Sequence, residues 1–324
     1  MYAYVVRRLI MVPLMMIGIT IISFFIIHLA PGDPTELLTD LNPHASAEAA
    51  IKLRELYNLD KPIIVQYFMW LKNIAVLDFG DSFSQDARPV IDKIGERIPI
   101  TLLLNVLSLG IVLFFAIPIG VMSATHQHSW FDKIASLFVF FGFAMPTFWL
   151  ALLLMIFFGV WLDWLPISGI ASFNHDQLTP WGKFVDYARH LAMPVLVAGL
   201  TSLAGLSRFT RQNMLEVIRH DYVVTARAKG LPETVVIYKH ALKNAMLPII
   251  TIMALSIPGL IGGSVIFETI YSIPGMGQLF YHAVMARDYP VIMGILVIGA
   301  FITLFANLLA DIAYALVDPR ISYG

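Results

Sequence analysis

Few residues in this 324-residue chain stand at spacings that could do chemistry. His126 and His128 come nearest to a metal pair. No carboxylate or thiol stands between or directly beside them, so the plainer reading is a solvated loop. The chain has no cysteine, which excludes disulfides, thiolate zinc sites, iron–sulfur clusters and thiol nucleophiles. Gly182-Lys183 matches the end of a phosphate loop but lacks the earlier glycine of GxxxxGK[ST]. Neither HExxH nor a GxSxG elbow occurs. Two ionisable groups remain, Glu268 and Asp311, each at or just inside the end of a long apolar run. Such residues are functional candidates by default. Glu268 could meet Arg287 or a protein outside this chain; Asp311 could snorkel or pair with a basic residue of another segment. His28, at the end of the first apolar run, reads as a hydrogen-bonded interface histidine.

The elements that must carry these residues follow from composition. Apolar residues make up 58% and charged residues 13%, and mean hydropathy is +0.77. Soluble domains carry about 25% charged residues, so this chain lacks the means to keep a surface wet. A net charge of −1 excludes a strongly basic nucleic-acid binder and a charge-extended disordered chain. An all-α integral membrane protein is what remains.

A bilayer core needs about 20 apolar residues as helix. Six stretches free of Asp, Glu, Lys and Arg come close to that length: 9–30, 99–123, 134–162, 191–207, 245–267 and 291–310. Six transmembrane helices are therefore expected, the third long enough to tilt or to bend at Pro146. The first run follows Arg7-Arg8, and its 22 apolar residues exceed an ordinary signal-peptide core, so it is expected to stay as a span. With the N-terminus inside, inner segments hold eleven Lys and Arg residues and the short outer loops hold Lys183, Arg189 and Arg287. The positive-inside rule then puts both termini in the cytoplasm and segment 31–98 outside.

Segment 31–98 is patterned. Ser46 can cap a helix over 47–59, Pro62 suits the start of a second with Ile63, Ile64, Tyr67, Phe68, Trp70, Leu71 and Ile74 as a broad stripe, and an amphipathic stretch over 89–98 runs into the second span. Such a helical cap offers either a packing surface or a docking face for an external partner. The inner loop 208–244 carries seven of the 21 basic residues. Within it DYVVTARAKGL (221–231) places Ala226 and Ala228 beside Gly230, ahead of Leu231 and Pro232, with a second helical run over 233–242. Two short helices joined at a glycine make a projecting knob, and its alanine–glycine pattern exceeds what the orientation rule requires.

These motifs resemble a known family. TARAKGL followed by KHALKNAMLP resembles the "EAA" cytoplasmic loop of ABC-transporter permease subunits, especially the dipeptide/oligopeptide/nickel branch. HLAPGDP (28–34), FGDSF (79–83), RPVIDKIGERIP (88–99), MPTFW (145–149), ETIYSIPGMG (268–277), RDYP (287–290) and DPRIS (318–322) extend the likeness in order. PGDP and the long first outer loop resemble the B-type permease of such pairs. Two departures from the general loop pattern stand out: Thr225-Ala226-Arg227 replaces Glu-Ala-Ala, and Gly230 lies 18 residues before Pro248. Both are usual in the peptide branch.

The resemblance implies a type I ABC importer permease fold in a bacterial inner membrane, comprising helix 1 (1–30), the periplasmic segment 31–98 and a five-helix core (99–324). It implies a homologous second permease, two cytoplasmic ABC ATPases and a periplasmic or extracellular substrate-binding protein. It implies no catalysis and no cofactor in this chain, ATP and Mg being bound by the ATPases. By the family's pattern, coupling falls to Asp221, Tyr222, Thr225, Ala226, Arg227, Ala228, Lys229, Gly230, Leu231 and Lys239. Candidates for the translocation path are Pro258, Gly259, Gly262, Gly263 and Ser264, helix breakers or small residues in the fifth run, with Met145 and Phe148 in the third. The rival reading is an ion-coupled secondary transporter, which usually shows inverted repeats and several buried ionisable groups. Polar positions inside the spans, Thr20, Ser23, Asn105, Thr147, Thr201, Ser264 and Asn307, give no readable substrate code.

Overall fold

A computed structural model describes residues 2–29 and 59–317. The expected helix over 47–59 with its Ser46 cap, most of the HLAPGDP motif, DPRIS and Arg320 lie outside the described residues. The described chain is all-α. Its helices are α1 (Tyr2–Leu29), α2 (Ile63–Ile74), α3 (Val90–Thr125), α4 (Trp130–Ala144), α5 (Thr147–Leu154), α6 (Pro180–Val217), α7 (Asp221–Ala228), α8 (Leu242–Ser256), α9 (Val265–Ile270), α10 (Met276–Met285) and α11 (Tyr289–Val317). A π-turn over Met155–Trp161 prolongs α5.

Among the described residues, four single helices are long and apolar enough to cross a membrane: α1, α3, α6 and α11. A fifth crossing arises if α4 and the α5 segment, bent by 104° to one another, count as one span. The bend expected at Pro146 is present, whereas the count of six is not matched by helix length among the described residues. In the third stretch Pro146 pushes Met145 into extended backbone (ψ 127°), which ends α4 and lets α5 start again from Pro146. In the fifth stretch α8 stops at Ser256, a 3-10 turn covers Ile257–Leu260, and α9 restarts at Val265. The proline and glycines of PGLIGG cannot hold a helix there.

The chain forms two compact units. In the first (1–101, 261–265 and 274–324), α2 is tied to α1 by Tyr67, whose hydroxyl lies 3.1 Å from Thr20 Oγ1 and whose ring meets Phe24 edge-on. The stripe expected on α2 is therefore split: Tyr67 is buried, while Ile64 and Phe68 remain exposed. Phe79, Val90 and Ile94 pack with Val291 and Met293 of α11. Gly294 permits this approach, since a Cβ there would lie 2.6 Å from Val90 Cγ1. Buried Asp288, at the start of α11, accepts from Ser82 Oγ and from the Phe83 amide (3.1 Å), bringing the FGDSF and RDYP motifs together. Lys93 donates to Ser82 and to Asp86 (2.7 Å), and with Ser84 it holds the Asp86 carboxyl down to about 2.

In the second unit (102–260 and 266–273), α6 is the central element. Thr179 caps it, accepting from the Gly182 amide, and Pro180 occupies its first position. Small residues let its neighbours approach: a Cβ on Gly120 of α3 would meet Thr210 Cβ at 2.5 Å, and one on Gly142 of α4 would meet Ala204 Cβ at 2.9 Å. Arg211 of α6 grips buried Asp132 of α4 through Nε (2.7 Å) and Nη2 (2.9 Å).

Candidate functional site

The knob begins where α6 ends at Val217. Val223 and Ala226 of α7 turn inward onto Met214, Val236 and Ile237, all buried. Ala226, which the resemblance places among the coupling residues, therefore serves the knob's own packing. Its neighbour Ala228 is exposed. Gly230 has φ +77°. Its amide donates to Arg227 O (2.9 Å) and the Leu231 amide to Ala226 O (3.4 Å), the paired bonds that close a helix C-terminus through a left-handed residue. Glycine is favoured there by conformation, and a Cβ would find nothing within 4 Å.

The knob is braced from both sides. Arg227 binds Glu233 across the turn (Nη2 to Oε1 2.7 Å), which lowers the Glu233 carboxyl and raises the guanidinium from their ordinary values. Asn244 donates to the Tyr222 hydroxyl (2.8 Å), linking α7 to the start of α8. Thr225 Oγ1 donates to its own helix at Asp221 O. Asp221, Lys229, Leu231 and Lys239 stand exposed on the outside. Exposed Val224 and Tyr238 add apolar surface that sequence reasoning missed. The signal was available, because Val224 sits four residues before Ala228 on the same helix face.

The helix break is a second candidate site. A cavity of about 560 Å³ opens among α3, α6 and α8, with polar Asn105, Ser108, Ser202 and Ser256 on its wall beside Gly259. The Asn105 amide donates to the Leu260 carbonyl (2.6 Å), capping the backbone freed by the 3-10 turn that includes Pro258. Inside a membrane a freed backbone group must find such a partner. Asn105 thus has a definite task that hydropathy alone did not reveal. Gly262 lines a different cavity of about 370 Å³, with Gly277, Gly299 and Thr303. Gly263 is left-handed (φ +63°), and the Ser264 backbone lies so close to Gly277 that a Cβ there would fall at 2.6 Å. Met145 and Phe148 border neither cavity.

The ionisable candidates are also placed. Asp311 pairs with Arg8 of α1 at 2.8 Å, a cation supplied by the N-terminal helix. Glu268 is fully buried in this chain, which closes it to a protein docking on the chain's outer surface. Arg287 takes a left-handed turn (φ 52°) before α11. His28 bonds the Phe24 carbonyl (2.8 Å), and His126 pairs with Thr125 Oγ1 (3.0 Å).

Long apolar helices, small-residue crossings and a capped helix break define a multi-pass α-helical membrane protein with a basic projecting knob. Residues 116–323 match the family described as the binding-protein-dependent transport system inner membrane component, and residues 1–105 match its N-terminal membrane component. The chain belongs to this family. It is 45% identical over 323 residues to the oligopeptide transport system permease protein AppB of Bacillus subtilis, covering all of both chains. It is 37% identical over 336 residues to the dipeptide transport system permease protein DppB of Alkalihalophilus pseudofirmus, again covering all of both.

Proposed function

We propose that this chain is one of two permease subunits of an ATP-driven importer for peptides, receiving its substrate from an external binding protein. Its ATP is hydrolysed by separate cytoplasmic subunits, and both of its termini face the cytoplasm. The knob carries this reading: a braced, basic projection whose exposed Val224, Ala228 and Leu231 offer apolar surface to a groove on an ATPase. Closure of the ATPase pair would move two such knobs together, and the shared packing of Val223 and Ala226 with Met214 of α6 and with Val236 and Ile237 would pass that motion into the spans. The polar cavity beside Gly259 is the segment of the path we assign to this chain. Family membership and full-length likeness to two peptide permeases support the substrate class.

The test is transport in liposomes. The permease reconstituted with its partner permease and ATPases should take up peptide only when binding protein is outside and ATP inside. Uptake driven by an ion gradient without ATPases would replace this reading with a secondary transporter.

A further inference from the structure

A second cavity of the second unit, about 490 Å³, lies apart from the knob and from the cavity beside Gly259. It is a groove between α3, α4 and α6 with a strongly divided lining. Near the turn that joins α3 to α4 it is polar, with Ser123, Ser136, Ser207, Arg208 and Arg211. Further along α4 it is apolar, with Val139, Phe140 and Phe143. From Ser136 to Phe143 the helix rises about 10 Å, the distance from a headgroup into the upper acyl chain.

Three observations define what the polar end lacks. Ser123 is only 2% exposed, yet its Oγ has no hydrogen-bond partner. Arg208 is exposed and makes no ion pair or hydrogen bond among the described residues. Arg211 beside it is neutralised by Asp132, so the groove carries one uncompensated positive charge. The apolar end is equally unpartnered, since Phe140 is 66% and Phe143 57% exposed. An occupant must therefore bring one net negative charge, oxygen acceptors for a hydroxyl and a guanidinium, and a chain that covers two phenyl rings.

We infer that the groove binds an anionic diacyl phospholipid, its phosphate on Arg208 and Ser123 and an acyl chain along Phe140 and Phe143. A zwitterionic lipid fits less well, because its ammonium cancels the charge that Arg208 would meet. The phosphate supplies the charge-assisted acceptor that both groups are missing.

Native mass spectrometry of the full transport complex tests this, with phosphatidylglycerol and phosphatidylcholine offered at equal concentration. The wild type is expected to retain phosphatidylglycerol several-fold over phosphatidylcholine. Arg208→Gln should remove most of that preference, and Arg208→Lys should keep it. Lys133→Gln is the control: Lys133 lies on α4 over the Trp130 ring, outside the groove lining, and the preference should survive its loss. Because Arg208 is exposed, its replacement leaves packing intact, and Ser123→Ala supplies a second variant expected to weaken retention. Equal retention of the two lipids by the wild type would overturn the inference. So would an unchanged preference in Arg208→Gln, or competition by water-soluble glycerophosphoglycerol as effective as the lipid, which would mark a free-anion site. A Phe140→Cys thiol protected in the complex after complete delipidation would also overturn it, by assigning the groove to a partner helix.

Discussion

Uptake is expected to fall to background when Gly230 is replaced by leucine, while the subunit still inserts and assembles. Alanine at the same position should retain most of the transport. The two variants carry the same internal burden, because any L-residue at φ +77° pays about 1–2 kcal/mol for left-handed backbone. Neither side chain meets an atom of this chain at its Cβ. What separates leucine from alanine is the bulk beyond Cβ, which the account places against the proposed ATPase groove. The measurement is labelled-peptide uptake beside membrane content and complex yield. Leucine and alanine variants with equal uptake would remove Gly230 from the docking surface and leave it a turn residue only.

Replacing Asp132 with alanine should cost the folded complex about 3 kcal/mol. Breaking a buried ion pair from one side costs about 3–5 kcal/mol, because the partner charge stays behind without its anion. The low end applies here, since the Asp132 side chain is 6% exposed but Arg211 is 28% exposed. Asp132 also accepts from the His128 amide at 3.0 Å, so its loss frees the α3–α4 turn as well. Adding Arg211→Met should recover much of the loss, giving a strongly non-additive cycle in the thermal midpoint of the solubilised complex. Additive effects would mean that the two residues act separately.

How far the sequence reached depended on whether the cause was local. Gly230 and Pro146 were legible because a turn and a break are written in neighbouring residues. The knob was legible for the same reason, since α7, the glycine turn and the helical turns Glu233–Val235 and Val236–Ala241 lie within 21 residues of sequence (221–241). The number of crossings was not. Apolar length counts the fifth run as one span even with its breakers Pro258, Gly259, Gly262 and Gly263 in view, and only the fold shows them dividing it into α8 and α9. Partner choice was hidden altogether. Asp311 finds Arg8, Asp132 finds Arg211 and Asp288 finds Ser82 because helix packing brings them together from distant parts of the chain. Asn105 gave no code as an in-span polar residue, because its partner is a backbone carbonyl freed only by the break. The inward turn of Ala226 was missed for a related reason. A small residue suits close approach from either side, and only the fold decides that Val236 and Ile237 take that place.

The claim that the knob seats on a separate ATPase has one direct test, which the absence of cysteine makes clean. A single thiol introduced as Ala228→Cys and labelled with a photoactivatable maleimide should cross-link this subunit to an ATPase in the assembled complex. A label on Phe173→Cys, in the exposed loop before α6, should not. No ATPase adduct from position 228, with that thiol open to water-soluble maleimide in a transport-competent complex, would contradict the account.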